Sequence, residues 1–238
     1  MNSLVNFFDE CHQSSVLINK SCNLKCSFCH LAENKVEISN IIASEMFKEL
    51  QQKSKQFRLV NIIGGEPLIY ENILNLLPKN KAKIRLFTNL SLQVLEFEKI
   101  VKMVNEWVVY IPVRNKRDYR LLTGYDSYKN LLINLKKLYN LKQSIILNMP
   151  VFAHNLTYVP DIHELSRSLN AKLWLNFNPL DFSDKDSKLY LKRYNKIKGV
   201  RVFKIKNRSK DCCPAIPKNY INGSLLTLLQ QVIHKIIK

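Results

Sequence analysis

A chain of 238 residues, 46% hydrophobic and 24% charged with five glycines, has the length and composition to bury one large core, which excludes a low-complexity or disordered polymer. The formal net charge of +18 suits acidic partners such as nucleic acid, a nucleotide or an acidic peptide, or else expresses a Lys-, Asn- and Ile-rich composition that serves solubility. The longest run free of Asp, Glu, Lys and Arg, Gln143 to Pro160, contains Asn148, Pro150, His154 and Asn155, which argues against a membrane span.

In chain order, "MNSLVNFFDECHQSS" lacks a basic start and a long apolar run, so no signal peptide is expected and a cytoplasmic setting is. "SVLINK" reads as a first strand leading into the cysteine-rich "SCNLKCSFCH", and "NIIASEMFKELQQKSKQ" as a helix. "RLVNII" ends at Gly64 and Gly65 and is followed by a short helix in "ENILNLLPKN". "KIRLFTN" is a third strand, with a helix across "LQVLEFEKIVKMVN"; "WVVYIPV" is a fourth. "SYKNLLINLKKLYNLK" keeps helical spacing at Leu131, Leu132, Leu135 and Leu138. "SIILNMPVF", the helical "VPDIHELSRSLN" and "KLWLNFNPL" complete six repeats.

Six βα units with near-continuous apolar strands predict an α/β fold, a parallel sheet buried on both faces and curled into a partial (β/α)6 TIM-like barrel over residues 1–180. Residues 181–238 are expected to form a short C-terminal extension. Eleven Lys and Arg stand against three Asp between Asp181 and Lys210. "LYLKRYNKIK" there reads as a helix and "VRVFKI" as a strand. "LLTLLQQVIHKIIK" reads as a basic amphipathic helix whose apolar face is expected to pack on the barrel, with a membrane surface as the alternative.

The chemistry concentrates where a parallel α/β fold carries it, just after strands. Cys22, Cys26 and Cys29 follow strand one with spacing Cys-x3-Cys-x2-Cys. Zinc would need a fourth ligand, for which His30 and Cys11 are candidates; a cubane can take three thiolates and leave one iron open to a substrate. Buried thiols are the bland alternative. After strand two, "GGEP" (Gly64, Gly65, Glu66, Pro67) offers a close approach to backbone groups that suit an amino acid's charges. Thr88 and Asn89 follow strand three.

With "CNLKCSFC", "GGEP" and "TNL" in that order, the chain resembles the radical S-adenosylmethionine (SAM) superfamily. Its second half resembles the subgroup of peptide-modifying and molybdenum-cofactor enzymes. "TNL" carries Leu90 where the family has glycine. The resemblance implies a [4Fe–4S] cluster on Cys22, Cys26 and Cys29, with S-adenosyl-L-methionine on the fourth iron. It implies Phe28 against the adenine, Gly64, Gly65, Glu66 and Pro67 around the methionyl amine, Thr88 and Asn89 in the same pocket, and Asn148 toward the ribose or carboxylate. It also implies a low-potential electron donor of the flavodoxin or ferredoxin type. An acidic peptide or small protein is the expected substrate, a nucleotide or RNA the alternative, and a non-catalytic metal-binding adaptor the alternative of another class. Cys212 and Cys213 are candidate hydrogen-atom donors or, with Cys11, members of an auxiliary cluster.

Overall fold

The computed structural model describes residues 13–19, 21–29, 40–70, 73, 77, 82–94, 96–177, 192–194 and 196–204, without the side chains of 19, 40–46 and 204. Cys11, His30, Cys212, Cys213, most of "ENILNLLPKN" and the C-terminal helix therefore lie outside the described residues. The described residues all fall within one compact unit, Met1–Lys206.

Among the described residues seven strands form one parallel sheet in strict chain order: β1 (Gln13–Asn19), β2 (Leu59–Gly64), β3 (Lys83–Thr88), β4 (Glu106–Tyr110), β5 (Ile145–Val151), β6 (Lys172–Phe177) and β7 (Val200–Lys204). The sheet does not close, as expected for a partial barrel. The strand read in "VRVFKI" is β7, which pairs with β6 from Leu173↔Val200 to Phe177↔Lys204 and carries the sheet past the sixth repeat. Among the described residues no helix is long and apolar enough to cross a membrane.

The crossovers carry α1 (Asn40–Gln56), α2 (Phe97–Met103), α3 (Lys116–Thr123), α4 (Tyr128–Asn140) and α5 (Val159–Ser168). Every second strand residue joins these helices in one core, with Val60, Ile62, Leu86, Val109, Leu147 and Leu175 all essentially without exposure. The other face departs from the expectation of two apolar faces. Its small apolar cluster of Val108, Ile146 and Trp174, edged by Phe87 and Phe203, shares the face with ionic residues. Arg85 pairs with Glu106 at 2.5 Å, and Lys172 reaches the same carboxylate at 3.7 Å. Strand apolarity hides this because one helix-facing residue in two keeps the local average high.

Three local readings change. The helix expected across "LQVLEFEKIVKMVN" starts only at Phe97, because the Leu90 and Leu92 carbonyls accept bonds from the Asn134 side chain at 3.0 and 2.8 Å and hold that segment as a loop. Asn134 occupies a buried position on α4, while Leu132, expected on the apolar face, is 37% exposed. Helix α3 was not expected at all. Its signals were Asn115, whose side chain accepts from the Asp118 N–H at 2.8 Å, and Gly124, which ends it at φ +77°.

Candidate functional site

Three consecutive strand ends are tied together by one carboxylate. Glu66 follows β2, has no exposure, and accepts bonds from the Thr88 hydroxyl at 2.7 Å, at the end of β3, and from the Asn89 N–H at 2.6 Å, just beyond it. It also accepts from the Leu68 N–H at 2.9 Å, capping the 3-10 turn Pro67–Ile69. Its own N–H donates to the Ser21 carbonyl at 2.8 Å, at the entrance of the cysteine loop. Burial pushes the Glu66 carboxyl up from 4.5 to about 7, against the three donors that favour its ionised form.

Asn89 carries the connection to the thiols. Its amide donates to the Cys22 Sγ at 3.6 Å and to Asn23 Oδ1 at 2.9 Å, while its Oδ1 accepts from the Ser91 N–H and hydroxyl at 2.9 and 2.7 Å. The Leu24 N–H also donates to the Cys22 Sγ, at 3.4 Å. Two donors on one sulfur favour its thiolate. Cys22, Cys26 and Cys29 are outside any disulfide and half-buried. The loop is further held by Lys25 N–H on the Thr123 carbonyl at 2.8 Å and Ser27 N–H on the Leu122 carbonyl at 3.0 Å.

Among the described residues no three Cys, His, Asp or Glu side chains gather into a group that could hold one metal ion. A cubane is broader than an ion and presents separate irons to separate thiolates, so its ligands surround a volume instead of meeting at a point. Three cysteines in one loop, none in a disulfide and with donors already on Cys22, make a donor set that fits such a cluster.

Beside the loop stands an aromatic wall that sequence reading caught only in Phe28. Its ring lies 5.8 Å from Tyr110 at the end of β4 and 5.0 Å from Phe152 just after β5. Among the described residues the Tyr110 hydroxyl is buried without a hydrogen-bond partner, and burial, then the charge of Cys26, pushes it well above the ordinary tyrosine value. An orphaned donor among aromatic rings beside the thiols fits a site shaped for a polar, planar ligand. No spacing in the sequence marked Tyr110 or Phe152; strand pairing brings them near.

Thr88, Asn89, Glu66 and Cys22 thus share one network, as the motif order implied. Asn148 sits elsewhere along the strand ends, in register with Tyr110, and its Oδ1 accepts from the Asn176 amide. Leu90 supplies what the family's glycine would, a left-handed backbone at φ +55°, with its N–H on the Thr88 hydroxyl at 2.8 Å. That conformation costs a non-glycine residue about 1–2 kcal/mol, whereas truncating a buried leucine costs about 2–5 kcal/mol. With Leu90 only 1% exposed, Leu90→Gly is expected to destabilise the protein, by up to about 4 kcal/mol, read from a lowered urea midpoint. A raised midpoint would mean that strain, not packing, dominates there.

No family model matches the chain. It is 24% identical over 167 residues to a protein named "Probable GTP 3',8-cyclase" from Pyrococcus horikoshii, covering 67% of this chain and 54% of that one. The protein of the same name from Pyrococcus abyssi is 23% identical over the same shares. The chain thus spans about half the length of these curated relatives. Among solved structures, Streptococcus suis SuiB bound to precursor peptide SuiA superposes with a TM-score of 0.64 at 17% identity, over 80% of this chain and 48% of that one. A structure of anSMEcpe with bound AdoMet gives 0.53 at 16%, over 70% and 49%. Curated relatives and fold agree with the resemblance that the motif order carries: the chain is similar to radical SAM proteins, in pattern to the peptide-modifying and molybdenum-cofactor-type ones.

Proposed function

We propose that this chain is a radical SAM enzyme that modifies a peptide or small protein by hydrogen-atom abstraction. The observation that carries the reading is the Glu66–Asn89–Cys22 network, which fixes the cysteine loop against the two strand ends bearing the other motif residues. Cys22, Cys26 and Cys29 would hold a [4Fe–4S] cluster, and Gly64, Gly65, Pro67, Thr88, Asn89 and Asn148 would line the place of S-adenosyl-L-methionine. When bound, the pair supplies reductive cleavage of a sulfonium and a 5′-deoxyadenosyl radical able to take a hydrogen atom from substrate.

The chain's own residues bind, orient and exclude water. Gly64 and Gly65 present backbone without side chains, so a charged amino-acid end can approach the strand end closely. Glu66, engaged by three protein donors, holds the shape of that end. Phe28, Tyr110 and Phe152 offer ring surface for an adenine, and the Tyr110 hydroxyl, unpartnered among the described residues, offers a hydrogen bond. The mixed polar and apolar face of the sheet, with Arg85, Glu106 and Trp174, would receive part of a peptide. Cys212 and Cys213 remain candidates for returning a hydrogen atom to a substrate radical. A low-potential donor would supply the electron, and the setting would be cytoplasmic.

Protein reconstituted without oxygen is expected to bind about four irons per chain and, with a low-potential reductant, to release 5′-deoxyadenosine. Well-reconstituted protein that yields none would sink the reading. A nucleotide substrate is the second reading, favoured by the name of the curated relatives. Turnover with GTP but not with acidic peptides from neighbouring genes would select it.

A further inference from the structure

Helix α3 carries an open depression of about 710 Å³ lined by Lys116, Arg117, Arg120, Leu121, Gly124 and Asp126. Three of its four charged residues are basic, and the lone acid, Asp126, is already paired with Lys116 at 3.0 Å. Arg117, Arg120 and the 70%-exposed Leu121 therefore present a basic rim around one apolar contact.

The depression adjoins the cysteine loop. The carbonyls of Leu122 and Thr123, at the end of α3, receive the N–H groups of Ser27 and Lys25. A Cβ built on Gly124 would stand 3.1 Å from the Lys25 Cβ, so loop and depression touch at this glycine. Along the loop, Lys25 and Ser27 are exposed while Cys22, Cys26 and Cys29 are half-buried. Lys25 reaches over the Tyr125 ring, its Nζ 6.0 Å from the centroid, and adds a fourth cation to this side.

We propose that this surface docks an acidic one-electron carrier against the outer side of the cysteine loop, an inference that rests on the function proposed above. A substrate must reach the strand ends within the fold, whereas an electron donor needs only a close approach to the loop's outer side, where the basic residues stand. A small, charged, weakly apolar surface also has the character of a redox encounter, in which charge steers the approach and dissociation stays fast. The carrier is oxidised by one electron and the loop's cluster reduced by one; no atom is transferred.

The test compares wild type with Arg117→Glu/Arg120→Glu, both reconstituted, following cluster reduction by stopped-flow absorbance. Donors are a reduced acidic flavodoxin, a reduced acidic ferredoxin and, separately, dithionite. Carrier-driven reduction is expected to fall at least about 10-fold in the variant at low salt, and to lose the ionic-strength dependence of the wild type. Dithionite-driven reduction and 5′-deoxyadenosine release should stay unchanged. Arg117→Gln/Arg120→Gln should lie between, which guards against misfolding of the doubly reversed chain. Unchanged reduction by both carriers overturns the proposal, as does an equal loss with dithionite. Loss of acidic-peptide binding with carrier-driven reduction intact would make this a substrate surface and overturn it too. Wild type that releases no 5′-deoxyadenosine even with dithionite removes the underlying reading and this one with it.

Discussion

Under the proposed function, Cys26→Ala is expected to lose at least about 100-fold in 5′-deoxyadenosine release, because a cubane left with two thiolates would forfeit the site-differentiated iron that the proposed chemistry needs. The companion readout is iron content, which should fall well below the wild-type value after identical reconstitution. Structure supports a clean interpretation. Cys26 is half-buried and packs only at the margin of the core, and its carbonyl, which the substitution keeps, accepts from the Cys29 N–H at 3.1 Å. The loop itself is anchored by Lys25 and Ser27 on α3. Circular dichroism of the apo variant should therefore match wild type. A variant that keeps full iron and cleavage would remove Cys26 from the ligand set and reopen the question of which residues hold the metal.

Glu66 is expected to give the largest effect on stability. Glu66→Ala deprives the Leu68 N–H, the Thr88 hydroxyl and the Asn89 N–H of their acceptor inside the protein. Each orphaned buried donor costs about 1–3 kcal/mol, so a loss of at least about 3 kcal/mol is expected. For a domain whose whole stability is about 5–15 kcal/mol, that loss is severe.

Glu66→Gln separates the charge from the shape. The folded carboxyl titrates near 7 and the unfolded one near 4.5. Below 4.5 both states hold the proton. Between the two values the unfolded chain has released a proton that the folded chain keeps, so raising the pH through this window destabilises the fold. The ceiling is on the order of 3 kcal/mol, and Glu66→Gln removes it. Urea midpoints at pH 4.5, 5.5 and 7.5 should show wild type losing stability relative to Glu66→Gln as pH rises. A difference that does not change with pH would mean that the three donors outweigh burial and keep Glu66 ionised throughout.

The sequence by itself determined the repeat of strand and helix, because each strand keeps an apolar face toward its crossover helices and each helix must show its 3.6-residue period. The same holds for the three motifs. Cys22 to Cys29 follow β1, Gly64 to Pro67 begin on the last residue of β2 and Thr88-Asn89 on that of β3, and a parallel sheet brings successive strand ends side by side. Chain order and sheet order coincide here, so adjacency in the motif list becomes adjacency in space.

Only the tertiary structure decided what is held by long-range contacts. Asn134 sits at an apolar-looking helical position, yet it caps the Leu90 and Leu92 carbonyls from more than forty residues away and stops a helix that local pattern favoured. Tyr110 and Phe152 join Phe28 because β4 and β5 are neighbours, a pairing that leaves no local mark. Glu66 reads in the motif as one acid among cofactor residues. Its two hydrogen bonds across to the end of β3 make it the tie between strand ends, and only folding creates those partners. Local pattern fixes which segments form elements; the identity of a buried polar group's partner depends on which segments the packed sheet sets opposite it.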